Sequence, residues 1–84
     1  MLNLGSSNIK SGTFTIDTEA KPGPDIPCNV ILVQFSKPVQ MGNKDGQPLT
    51  LEADKIHELL ISNFSTIYLR TPNGTSNAGY LCLN

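Results

Sequence analysis

His57 is the one histidine of the chain and, by type, the residue best suited to acid–base chemistry or metal binding. Either task needs partner residues, and only Asp54 and Glu58 lie close to it in the sequence. On a β-strand, Glu58 would point to the face opposite His57. We therefore expect His57 to be a solvent-exposed structural residue.

The other residue types that support catalysis or ion binding are also poorly placed for it. Asp17, Glu19 and Asp25 lack the dense spacing of oxygen ligands in a calcium loop, and we expect a solvated acidic rim. The chain has no Gly-x-Ser-x-Gly elbow, and its glycines are spaced as turn residues. We expect no enzymatic activity, no metal and no cofactor.

Cys28 and Cys82 are the two cysteines, 54 positions apart, and each lies in an apolar stretch. A disulfide closing this loop would stabilise the fold by ~4 kcal/mol in the chain-entropy model. The N-terminus, however, has neither the basic nor the apolar region of a secretory signal, which predicts synthesis in a host cytoplasm. Because that compartment is reducing, we expect two buried free thiols.

Size and composition narrow the class of protein further. The 84 residues suffice for one domain, and the thin core of so small a chain is commonly supported by oligomerisation. A net charge of −1 without a basic cluster argues against nucleic-acid binding. With 38% hydrophobic residues and no long apolar run, the composition does not indicate a membrane protein.

Alternating apolar residues and frequent turn signals predict an all-β fold. The apolar stretch 28–35 predicts a strand covered on one face by the opposite sheet and on the other by a loop or a neighbouring subunit. The proline-rich segment 19–27 indicates an extended connection, and Asp-Gly at 45–46 indicates a turn. Further strands are expected at 13–17, 38–42, 48–51, 67–69 and 78–83.

These elements predict a small antiparallel β-sandwich, jelly-roll or Ig-like, of seven to eight short strands. Residues 1–11 are expected to form an N-terminal arm or edge strand, and residues 12–84 the single domain. The segment 51–61 is ambiguous. Its early acidic residues favour a short helix around 51–58, whereas the alternation of Leu59 and Ile61 favours a strand, which we prefer.

Five residues are candidates for a protein interface: Ile9, Ile31, Val33, Phe35 and Arg70. The middle three lie in the doubly apolar strand, and Arg70 ends a strand beside a proline-bearing loop, where arginine often anchors contacts. Tyr68 and Tyr80 lie in apolar runs, so we expect them to pack in the core and not to form sugar-binding platforms.

Several short motifs follow one another in a characteristic order over residues 24–84. An Ile-Pro-Cys hinge and an apolar strand (Ile26 to Val33) precede Pro-Val-Gln-Met-Gly at 38–42. Ser-Asn-Phe-Ser-Thr-Ile-Tyr-Leu at 62–69, Asn-Gly-Thr at 73–75 and Gly-Tyr at 79–80 complete the series. In this order the chain resembles small structural proteins of tailed bacteriophage virions: capsid decoration, head-fibre and small tail components.

The resemblance implies a non-enzymatic part of a virion that docks on the capsid through the surfaces of a β-sandwich. It also implies a major capsid protein or other virion protein as partner and a closed homo-oligomer, with a trimer favoured. The alternative is a tail-associated or free-standing module that recognises carbohydrate on a host surface. The first class predicts a closed oligomer or stable association with particles, whereas the second predicts that Tyr68 or Tyr80 is exposed to solvent.

Overall fold

A computed structural model describes residues 9–84, which form eight β-strands and one short 3-10 helix. The 3-10 helix spans Phe64–Thr66. The strands are β1 (Ile9–Ile16), β2 (Lys21–Pro22), β3 (Val30–Phe35), β4 (Val39–Asn43), β5 (Gly46–Leu51), β6 (His57–Leu59), β7 (Tyr68–Arg70) and β8 (Ser76–Leu83).

The strands form two four-stranded sheets in which every pair is antiparallel. Sheet A has the order β1-β8-β3-β6, and sheet B has the order β2-β7-β4-β5. The pairs β1–β8, β2–β7, β3–β6 and β4–β5 therefore alternate between the sheets, as they do when one long hairpin is rolled into a jelly roll. The predicted all-β sandwich is confirmed, and its strand order is that of a jelly roll.

Alternation along the strands places the core between the two sheets. Ile31, Val33 and Phe35 project inward from β3 and are at most 1% exposed. The ring of Phe64 lies edge-on to Phe14 and to Tyr80, with centroids 5.5 and 5.7 Å apart. Others complete the core: Ile16, Cys28, Val39, Leu69, Ala78 and Cys82.

The ambiguous segment 51–61 is extended, and the helix considered around 51–58 does not form. Leu51 pairs with Val39 at the end of β5, and Leu59 pairs with Ile31 in β6. A tight turn joins the two strands, with Asp54 at a φ of 60° and its N–H donated to the Phe35 carbonyl at 2.9 Å. Strand pairing thus outweighs the local helical pattern.

The described part of the sandwich begins at Ile9, in the edge strand β1 of sheet A. Residues 9–11 belong to the segment predicted to be an N-terminal arm or edge strand, and they lie in this edge strand. Residues 1–8 of that predicted arm lie outside the described residues. Within residues 9–84 there is no helix of the length and apolar character needed to cross a membrane.

Candidate functional site

His57 serves the packing of the sandwich in the part of the chain that the structure describes. Its Nε2 lies 2.8 Å from the Glu52 carbonyl oxygen, and its ring lies 5.9 Å from that of Phe35. The side chain is half-buried and so less exposed than we expected. Glu58 pairs with Leu32 on the opposite face of the sheet, as the strand periodicity predicted.

The acidic residues singled out in the sequence are bound to different local partners. Asp17 accepts hydrogen bonds from the Glu19 N–H at 2.9 Å and from Lys21 Nζ at 3.2 Å, and these bonds hold the pKa of the Asp17 carboxyl below its usual value. Asp25 accepts a hydrogen bond from the Asn63 amide at 2.9 Å. Among residues 9–84, no three potential metal ligands lie together.

Cys28 and Cys82 are both buried and both carry free thiols, as predicted. The Cys28 Sγ donates a hydrogen bond to the Ile61 carbonyl at 3.2 Å. Burial raises the pKa of both thiols, and for Cys82 burial together with the neighbouring Cys28 raises the pKa to about 11. Because thiols react as thiolates, neither cysteine is activated as a nucleophile.

Three of the five predicted interface residues are not on the surface. Ile31, Val33 and Phe35 point into the core of the chain itself, which corrects this part of the prediction. Their inward direction follows from the strand register, which places them opposite residues of β8 that also face the core. Ile9 is 46% exposed at the start of the edge strand and so remains available for contact.

Arg70 is half-buried at the end of β7, on the strand face opposite the buried Leu69. Its Nε is buried, and among the described residues it is a buried side-chain polar atom without a hydrogen-bond partner. The ring of Tyr80 packs in the core, as predicted. Tyr68 lies on the same outer face as Arg70, so its predicted core position was wrong. The outer face of sheet B thus carries a half-buried tyrosine beside an incompletely paired arginine.

The more apolar surface is the outer face of sheet A, the face directed away from sheet B. Ile9, Leu83 and Val30 lie in one row across β1, β8 and β3, and Leu81 and Leu32 form the next row. Together with Ile56, these residues are called the outer apolar face below. Leu32 and Leu83 are 8% and 7% exposed, whereas Ile56 is 63% exposed.

A shallow open groove of about 190 Å³ crosses the outer apolar face. Leu32, Leu81 and Ile56 line it together with Gln34 and Gly79. Gly79 provides part of the space, since a Cβ added there would meet no atom within 4 Å. The groove is therefore open at the position where a side chain of residue 79 would stand.

Comparisons with known proteins give no family assignment. A scan against family models, a search of curated proteins and a search of solved structures each found no significant match. The candidate site therefore rests on the geometry of this chain.

The sequence signal for the outer apolar face is the doubly apolar stretch 28–35, in which the interface prediction chose the inward-facing residues. In the stretch 28–35, a continuous apolar run means that both faces of β3 carry apolar residues. Val30 and Leu32 are the members that face outward, one position away from the residues that were chosen. Ile56 adds to this face because β6 pairs with β3, a neighbour that is not evident from the local sequence.

Proposed function

We propose that this chain is a non-enzymatic structural protein of a virion, which docks on a capsid as a decoration, stabilising or head-fibre component. The single observation that carries the proposal is the outer apolar face with its groove beside Gly79. The occupant we infer is a surface of the major capsid protein or of another virion protein. The resemblance to small phage structural proteins supports this choice of partner.

The physical argument begins with exposed apolar surface on a small domain. Ile9 and Ile56 are 46% and 63% exposed on the same face of sheet A. Fully covering an exposed aliphatic side chain contributes roughly 1.5–3 kcal/mol, so burial of these two residues favours a docked state. An apolar patch of this kind is typical of a protein–protein contact.

The jelly-roll fold is consistent with this role. Jelly rolls occur in viral capsid proteins and also in lectins, and one fold serves many functions. The outer apolar face favours docking on a capsid over carbohydrate binding, because the centre of a protein–protein interface is apolar.

The first test is whether the chain is a stoichiometric part of purified particles. We expect virions of the phage that encodes it, banded in a density gradient, to contain the chain at a fixed ratio to the major capsid protein. Quantitative mass spectrometry of the band measures that ratio. Absence of the chain from the band would refute the proposal.

The second test identifies the docking face. Gly79→Arg fills the groove, whereas Gly46→Arg places the same side chain in the β4–β5 hairpin of sheet B, where an added Cβ also meets no atom within 4 Å. With particles that lack the chain, we expect binding of the Gly79→Arg protein to fall at least tenfold and that of Gly46→Arg to match wild type. Equal binding by all three proteins would exclude this face.

A second candidate function is recognition of a carbohydrate at the outer face of sheet B. The observation that favours it is the half-buried Tyr68 beside the half-buried Arg70 on this face, since a tyrosine ring can lie against a sugar and a guanidinium can donate hydrogen bonds to sugar hydroxyls. A glycan array with wild type, Tyr68→Ala and Arg70→Lys tests it. Signals lost in both variants would support carbohydrate binding, and an array without signals would exclude it.

A further inference from the structure

The four sheet edges of the described residues differ in how well they are protected against pairing. The edge strand β6 has three residues, β2 has two residues and ends at Pro22, and β5 contains Pro48. Short edge strands and prolines are common means of preventing strand addition. The edge strand β1, by contrast, has eight residues and no proline, and most of its residues are exposed.

The hydrogen bonds of sheet A show which backbone groups of β1 point to this open edge. The Ser36 N–H donates a hydrogen bond to the Asn77 carbonyl at 2.9 Å, and Asn77 is an odd-numbered residue of β8. Because hydrogen-bonded pairs alternate in an antiparallel ladder, the backbone groups of the odd-numbered residues of β8 point to β3. The backbone groups of its even-numbered residues point to β1. In the register with β1, Cys82 lies opposite Lys10 and Tyr80 opposite Gly12.

The backbone N–H and C=O groups of the even-numbered residues of β1 are therefore hydrogen-bonded to β8. The backbone N–H and C=O groups of the odd-numbered residues point away from the sheet: Ile9, Ser11, Thr13 and Thr15. Each of these four residues thus offers one backbone donor and one backbone acceptor to a further strand.

We propose that this edge pairs with the same edge of a second copy, so that two β1 strands run antiparallel across a two-fold axis near Gly12 and Thr13. Because odd-numbered residues then bond to odd-numbered residues, their side chains lie on the same side of the joint sheet. The two A sheets become one continuous eight-stranded sheet. Ser and Thr side chains meet across the axis, a favourable cross-strand combination.

Charge favours a second copy in the antiparallel direction. Lys10 is the charged residue within β1 and lies near its beginning, whereas Asp17 and Glu19 follow its end. An antiparallel pair brings each Lys10 near the acidic end of the other strand. A parallel pair would place the two lysines side by side.

This pairing does not depend on the proposed virion role. It uses the edge of sheet A and leaves the outer apolar face open on the same side of both copies. A two-fold pair also differs from the trimer that the family resemblance implies, and the molecular mass separates the two.

The experiment measures the mass of the full chain by analytical ultracentrifugation from 10 µM to 1 mM, with amide exchange measured in parallel. We expect a monomer–dimer equilibrium, with exchange at Ser11, Thr13 and Thr15 slowing as the dimer forms. Thr13→Pro removes one outward N–H without breaking a bond to β8, and we expect it to raise the dimer dissociation constant at least tenfold. Thr13→Ala keeps the N–H and should dimerise like wild type.

A second variant keeps the test valid if Thr13→Pro does not fold. Thr13→Lys retains the N–H but brings two like charges together at the axis, and it should weaken the dimer at least tenfold. A trimer, or a monomer at all concentrations, would overturn the proposal. A monomer with slow exchange at Ser11, Thr13 and Thr15 would show that another part of the chain occupies the edge, and would overturn it equally. A dimer unaffected by all the Thr13 variants would place the contact elsewhere.

Discussion

The hydroxyl of Ser76 makes two hydrogen bonds to the backbone of Lys37: it accepts one from the N–H at 3.1 Å and donates one to the carbonyl at 2.9 Å. Ser76 is fully buried at the start of β8, and Lys37 lies in the connection between β3 and β4. One side chain thus satisfies a donor and an acceptor where the chain passes from sheet A to sheet B. Hydrogen bonds from Ser76 take the place of a strand partner at this crossing.

Replacing Ser76 with alanine should lower the free energy of unfolding by about 1–3 kcal/mol, because the two Lys37 backbone groups lose their partner in a partly buried place. Urea denaturation followed by circular dichroism measures the change. Ser62→Ala, at an exposed position, is the control and should change stability by less than about 0.5 kcal/mol. A loss no larger than that of the control would mean that water replaces the hydroxyl.

Truncating Phe64 tests the aromatic contacts that join the 3-10 helix to the core. The side chain is 0% exposed and lies between Phe14 and Tyr80, so Phe64→Ala should cost about 3–5 kcal/mol. Since small domains have only about 5–15 kcal/mol in total, the variant should lose a large part of its stability and its thermal midpoint should fall by roughly 12 °C or more. Leu60→Ala, at a side chain 75% exposed, should leave the thermal midpoint within a few degrees of wild type. Comparable losses in both variants would contradict the assigned core.

Local pattern was sufficient for the strands whose apolar residues alternate, such as Phe14 and Ile16 in β1. It was not sufficient between Leu51 and Leu59, where the apolar spacing fits both a helix and a strand and pairing with Val39 and Ile31 decides. The interface prediction failed at Ile31 for a related reason. In a strand that is apolar on both faces, only the register with its neighbours determines which alternate set faces the core.

Gly42 is required by the irregular pairing of the β4–β5 hairpin. The register shifts between Met41 and Asn43, and a Cβ at Gly42 would lie 2.0 Å from the Gly46 carbonyl oxygen. Because backbone atoms would have to move, Gly42→Ala should destabilise the fold by about 2–3 kcal/mol. Gly79→Ala meets no atom and removes a flexible residue from a strand, so it should stabilise by about 0.5 kcal/mol. Denaturant titrations measure the change in the free energy of unfolding for each variant. Changes of opposite sign would confirm the hairpin geometry, and equal changes would contradict it.

The buried thiol of Cys82 predicts a loss of stability in alkali. Its pKa is raised from the ordinary value of 9.0 to about 11 in the folded state, first by burial and then by the neighbouring Cys28. Well below pH 9 both states hold the proton and the thiol adds no pH dependence. Between pH 9 and 11 the unfolded chain releases the proton and the folded chain retains it, so the free energy of unfolding falls as pH rises, by an amount on the order of 2–3 kcal/mol. Cys82→Ala removes this contribution, whereas Cys28, whose pKa burial also raises, stays in place. Denaturation at pH 8 and pH 11 should therefore show a smaller decline in the variant, whereas equal declines would assign the alkaline loss to other groups.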